Sequence, residues 1–278
     1  MSVRATFFLS TVLAMGTLHS TANAQSVWYF GEAMTDWSSC DSACTQVSLS
    51  YSGDQISYWA SRMSAHNAGA WQGGWFLNDA WGSDATEDTR GGEDNNYADH
   101  NTMWAYSGHG AGPSNSAGET FVAPFCHAGT VSSCQYDAKN SDWGEHGGAD
   151  ATPYVGKARY LLWLTCYSVD VDPIHQWSPS MHRGLDVVMG YRGTSADSST
   201  TDEVGGDLAD RTFGDMVQWK PAWFWAMEDW WVDDVGSIFV SGSSSTDASS
   251  RRDNIMWNWG ERTDGAYYNW FAWSWHNG

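Results

Sequence analysis

Three short apolar runs limit the folds open to this chain more than any other feature. "TMWAYS" (102–107), "ARYLLWLTC" (158–166) and "GLDVVMGYRGT" (184–194) have strand length and stay apolar without alternating, the pattern of strands buried on both faces. Between the second and third lies "PIHQWSPSMH", which suits a short helix, so this stretch reads as strand, crossover, strand. That is the signature of a parallel sheet in an α/β fold.

The remaining segments fit around such a sheet. "VWYFGE" (27–32) predicts a first strand. In "GDQISYWASRMSAHN" (53–67), Ile56, Trp59 and Met63 recur at helical spacing and Asp54 is a candidate N-cap. "GGWFLND" reads as an extended piece that leads into a long irregular loop. "QWKPAWFWAMEDWWVDD" carries Trp219, Trp223, Met227 and Trp230 on one helical stripe, a pattern that more often faces a core than a ligand. "YYNWFAWSWHNG" suits an edge strand closing the sheet, and "SGSSSTDASS" (241–250) reads as an exposed loop.

Residues 1–24 have one Arg, an apolar stretch and a small-x-small site at Ala22-Asn23-Ala24, so they read as a secretory signal. Without an internal linker, 25–278 is expected to form a single domain that is secreted or periplasmic, with no integral membrane segment. Thirteen basic residues against 33 acidic ones give a net charge of −20. Such a surface repels phosphate backbones, which argues against nucleic acid as a partner, and attracts cationic ones. Of the five cysteines, Cys40, Cys44, Cys126 and Cys134 are disulfide candidates in an oxidising compartment, with more than one connectivity open. Cys166 is left over, which marks it as an inert buried thiol, an intermolecular link or a reactive group.

Two of the apolar runs end in residues that a core strand does not need. "TMWAYSGHGAG" ends its strand in Ser-Gly-His-Gly, which delivers His109 to the carboxyl edge of the sheet, where ligands of open α/β folds bind. "YLLWLTCYS" delivers Cys166 in the same way. If the two strands are neighbours in register, imidazole and thiol meet. That pair is the minimum machinery of acyl transfer: the imidazole takes the thiol proton and the thiolate attacks a carbonyl. Backbone N–H groups of Gly110 and Cys166 are the natural oxyanion donors.

An apolar strand ending in His-Gly, followed about fifty residues later by an apolar strand ending in Cys, resembles the caspase-like cysteine peptidase superfamily of caspases, legumains, gingipains and clostripain. The matching pieces are "MWAYSGHG" and "YLLWLTC". The wider order, "DHNTMWAYSGHG", "LLWLTCYS", "GLDVVMGYRGT" and then the Trp-rich helix, is similar to uncharacterised secreted bacterial domains of that type. The resemblance implies a three-layer α/β sandwich with a central, mainly parallel sheet flanked by helices, a His109–Cys166 dyad, and cleavage of protein or peptide substrates. "LTCYS" lacks the Gly-rich stretch that follows the nucleophile in caspases.

Specificity would rest on a pocket near the thiol. Asp170, Asp172 and Asp197, with Asp202, are candidates for an acidic pocket that selects Arg or Lys, and the acidic surface points the same way. Two other readings remain. His100, His109, His127 and His146, with Asp99, Asp142 and Glu145, hold enough ligand types for a zinc-dependent hydrolase, although no pair has helical His-x-x-x-His spacing. Alternatively the fold is a catalytically inactive binding protein with a Trp-rich ligand surface. The dyad needs no cofactor and no metal ligand set stands out, while acid-rich loops such as "GGEDNNYAD" leave calcium open.

Overall fold

A computed structural model describes residues 29–35, 47–66, 76–78, 101–110, 122–124, 135–138, 158–170, 173–228, 234–257, 259 and 268–277. The signal sequence, the four disulfide candidates, Asp172, Trp230, the calcium-loop candidate and every zinc candidate except His109 lie outside the described residues.

The three apolar runs are strands, and they lie side by side. β1 (Tyr29–Ala33), β2 (Phe76–Asn78), β3 (Met103–Ser107), β6 (Tyr160–Leu164), β7 (Val187–Tyr191), β8 (Val235–Gly242) and β9 (Trp270–Asn277) form one seven-stranded sheet in the order β2-β1-β3-β6-β7-β8-β9. β4 (Val122–Pro124) and β5 (Gln135–Asp137) pair separately as an antiparallel ribbon. From β2 to β7 all pairings are parallel, whereas β8 runs antiparallel to β7 and β9 antiparallel to β8. The sheet is therefore mixed. β9, from within "YYNWFAWSWHNG", is an edge strand of the sheet, as expected.

Strands without alternation have both faces covered, and here alternate residues enter two separate cores. Met103 and Ala105 of β3, Tyr160 and Leu162 of β6, and Val187 and Met189 of β7 pack on one side against α1 (Ser52–His66), α3 (Val204–Ala209) and α4 (Trp219–Ala226). Trp104, Tyr106, Leu161, Trp163 and Val188 pack on the other side, against Trp177 and Met181 of α2 (Pro173–Arg183). Six of the described tryptophans serve the interior: Trp59, Trp104, Trp163, Trp177, Trp219 and Trp223 are fully buried. Trp104 stacks on Tyr106 at 5.7 Å and meets Trp163 edge-on at 4.8 Å, the offset and edge geometries that ring quadrupoles favour.

Two local expectations are corrected. "SGSSSTDASS" is no loop: it contains the end of β8 and the start of a helix, α5 (Ser245–Asn254). Ser244 caps that helix by accepting the Asp247 N–H at 3.1 Å, while Arg251 and Arg252 sit in its last turn. Asp54 does not cap α1, since the helix begins at Ser52 and Asp54 falls in its first turn. Asp197 serves that end of the helix instead: Oδ2 accepts from Ser50 N at 2.7 Å and Oδ1 from Tyr51 N at 3.0 Å.

Candidate active site at the carboxyl ends of β3 and β6

β3 and β6 are neighbours, in parallel register with Ser107 beside Leu164. His109 and Cys166 each lie two residues beyond that pair, on strands about 4.8 Å apart. The two turns touch. A Cβ on Gly110 would lie 2.2 Å from the Cys166 carbonyl oxygen and 2.9 Å from Thr165 Cβ, so only glycine admits this approach. Tyr167, next along, adopts a left-handed φ of 57° and donates its N–H to Gly193 O at 2.6 Å, which turns the chain sharply behind the thiol.

The half-buried imidazole is held by its far nitrogen. His109 Nε2 lies 2.6 Å from Val47 O. A carbonyl only accepts, so Nε2 carries the proton and Nδ1 is the basic nitrogen of the neutral ring. Val47 belongs to the 47–51 segment, which is anchored twice: Leu49 N donates to Thr35 O at 3.1 Å, and Asp197 takes the N–H groups of Ser50 and Tyr51. Below it, Ser107 Oγ donates to Gln55 Oε1, and Gln55 Nε2 donates to Thr201 O at 3.1 Å. The imidazole is thereby braced against α1 and against the loop that follows β7.

That same loop holds the sulfur. Cys166 is a free, half-buried thiol. Its Sγ accepts the Ser195 N–H at 3.2 Å and lies 3.6 Å from Ser195 Oγ. The thiol in turn donates to Ser195 O at 3.7 Å, so these contacts tie it to one residue of that loop. Among the described residues, neither the Gly110 nor the Cys166 backbone N–H is taken by a carbonyl. Ala196 N donates to Asp234 Oδ2 at 3.0 Å. Asp234 and Cys166 also lie close enough to Tyr191 to act on its phenol, which burial above all, and then these two groups, push well above its ordinary value.

The acidic candidates separate. Asp197 spends both oxygens on backbone N–H groups, and Asp170 is buried. The Asp202 carboxyl is raised, first by burial and then by Asp54. Val47, Ser195 and Asp234 belong to the site, yet sequence reasoning passed over all three. Val47 and Ser195 act through backbone atoms, which leave no trace in residue type, while Asp234 sits in an acidic run with no distinguishing pattern. Among the described residues no cluster of His, Cys, Asp and Glu could hold a metal, and no helix is long and apolar enough to cross a membrane.

A family model described as a domain of unknown function, DUF6345, matches residues 32–275. The chain belongs to this family. The DUF6345 match runs from β1 to β9 and so includes both turns of the site. No curated protein and no solved structure matches the chain.

Proposed function

We propose that this DUF6345 protein is an exported thiol peptidase of caspase-like type, a three-layer α/β sandwich with Cys166 as nucleophile and His109 as general base and acid. The observation that carries the reading is the parallel pairing of β3 with β6, which sets His109 level with Cys166 at one sheet edge and brings Gly110 against the Cys166 carbonyl. Nδ1 of His109 takes the Sγ proton, and the thiolate, steadied by the Ser195 N–H, forms a bond to the scissile carbonyl carbon. The oxyanion that results is bound by the Gly110 and Cys166 N–H groups. Collapse breaks the C–N bond as the imidazolium returns its proton to the leaving amine, and an acyl-thioester remains. Water then adds to the thioester while giving its proton to Nδ1. Expulsion of the sulfur releases the acid and restores the free enzyme.

Val47 O is the third member of the set: it fixes the tautomer and takes part of the imidazolium charge. Substrate preference is for basic side chains. The net charge of −20 and the buried Asp234 carboxylate beside the Ser195–Ala196 segment support this choice. The test is a fluorogenic peptide library presented to the purified protein and to Cys166→Ala. Cleavage after Arg or Lys that disappears in Cys166→Ala is expected. Cleavage confined to acidic or Asn positions overturns the specificity, and turnover that survives Cys166→Ala overturns the mechanism.

A further inference from the structure

At the end of α1 farthest from His109, the last turn of that helix, the π-turn Asp210–Gly214 and the end of α4 enclose an open cavity of about 500 Å³. This size falls in the range of about 300–1,000 Å³ usual for small-molecule sites. α1 has 15 residues, which at about 1.5 Å each puts the cavity on the order of 20 Å from the thiol edge. The site therefore stands apart from the peptidase reading and does not depend on it.

Its polar lining is held in place by internal pairing. Asp210 receives Arg62 Nη2 at 2.9 Å and His66 Nε2 at 2.6 Å, and Arg211 Nη1 meets Asp215 Oδ2 at 2.9 Å. Gly214 makes room for the histidine, since a Cβ there would lie 2.8 Å from His66 Cε1. Beside these groups stands an exposed indole, one face of which carries the Arg211 guanidinium. α4 buries Trp219, Ala222, Trp223 and Ala226, whereas Trp225 is 45% exposed and carries the Arg211 guanidinium 3.7 Å from its ring centre. One of the five exposed large apolar side chains among the described residues, Trp225, thus lines a charged cavity.

We infer that this cavity is a binding site for a neutral saccharide, with Trp225 as the stacking platform. Three ligand classes fit poorly. Both guanidinium groups already face carboxylates and the chain carries −20, so an anion gains little here. A wholly apolar ligand would strip water from paired charges without replacing it. A cation on the indole would lie beside the like-charged Arg211 guanidinium, a repulsion that an uncharged ring does not meet. A pyranose offers an apolar C–H face to the indole and a rim of hydroxyls that both donate and accept, which matches fixed guanidinium donors alternating with carboxylate acceptors. Because these side chains are pre-set by their ion pairs, little ordering is left to be done on binding.

The test is calorimetric titration of the full chain with cellotetraose, chitotetraose and maltotetraose, and with tetragalacturonate as the anionic counterpart. At least one neutral tetrasaccharide is expected to bind. Trp225→Ala and Arg211→Ala should each weaken that binding about tenfold or more, while Trp270→Ala, which removes an exposed indole from β9, leaves it unchanged. Thermal unfolding of each variant confirms that it is folded. Absence of binding by all three neutral sugars at about 10 mM overturns the inference, as does undiminished binding by both cavity variants or a preference for tetragalacturonate.

Discussion

Gly110 is the residue through which the two halves of the site touch. Its missing Cβ would collide with the backbone carbonyl of Cys166, which cannot swing aside like a side chain. Gly110→Ala should therefore cost about 1–3 kcal/mol in denaturant unfolding and slow alkylation of Cys166, because relief of the clash moves the thiol away from the imidazole. Ser195→Ala is expected to be milder, since the N–H aimed at sulfur remains and only the 3.6 Å hydroxyl contact is lost. Alkylation rates of the two variants separate these cases. His109 and Cys166 were legible in the sequence because each ends an apolar run with a group that burial alone does not call for. Val47 and Ser195 were not, since what they supply is a carbonyl and an N–H that every residue type except proline carries in full.

Among the elements, the buried strands were legible and the second half of the sheet was less so. β3, β6 and β7 announce themselves by unbroken apolar runs, but β8 reads "VGSIFVSG", with Gly and Ser diluting the pattern, and its antiparallel direction follows from connections that composition does not specify. α5 escaped for a related reason. It is short and polar, buries only Ala248 and Arg251, and so lacks an apolar stripe; its one local signature is the Ser244 cap. Ser244→Ala should destabilise the protein by about 1 kcal/mol, measured by chemical denaturation. A larger effect is expected at Asp186, which precedes β7 and is buried between Arg159 Nη1 at 3.2 Å and Arg251 Nη2 at 2.6 Å. This carboxylate joins β6, β7 and α5 at the sheet edge opposite the thiol. Asp186→Ala leaves two buried guanidinium groups without it and should cost about 3–5 kcal/mol in the same experiment.

For the molecule as a whole, the pH dependence of stability should bear the mark of one carboxyl. Glu32 lies on β1 beside Tyr106 of β3, is fully buried, and among the described residues neither of its oxygens has a hydrogen-bond partner. Burial pushes it up from 4.5 to about 8, so it is protonated in the folded protein at neutral pH. The unfolded chain ionises near 4.5, hence the stability this group contributes is complete below that value and is lost as pH rises toward about 8. Glu32→Gln should flatten the profile over that interval and be the more stable form at pH 8, by an amount of order a few kcal/mol; a profile unchanged by the substitution would mean that Glu32 is solvated. The central claim concerns the edge where β3 and β6 end, and the rate at which iodoacetamide labels Cys166 in the native protein over a pH series, with His109→Ala alongside, tests it most directly. An imidazole-activated thiolate predicts rapid labelling at neutral pH that falls about tenfold or more in the variant. Equal rates in both proteins, or labelling only after denaturation, would contradict it.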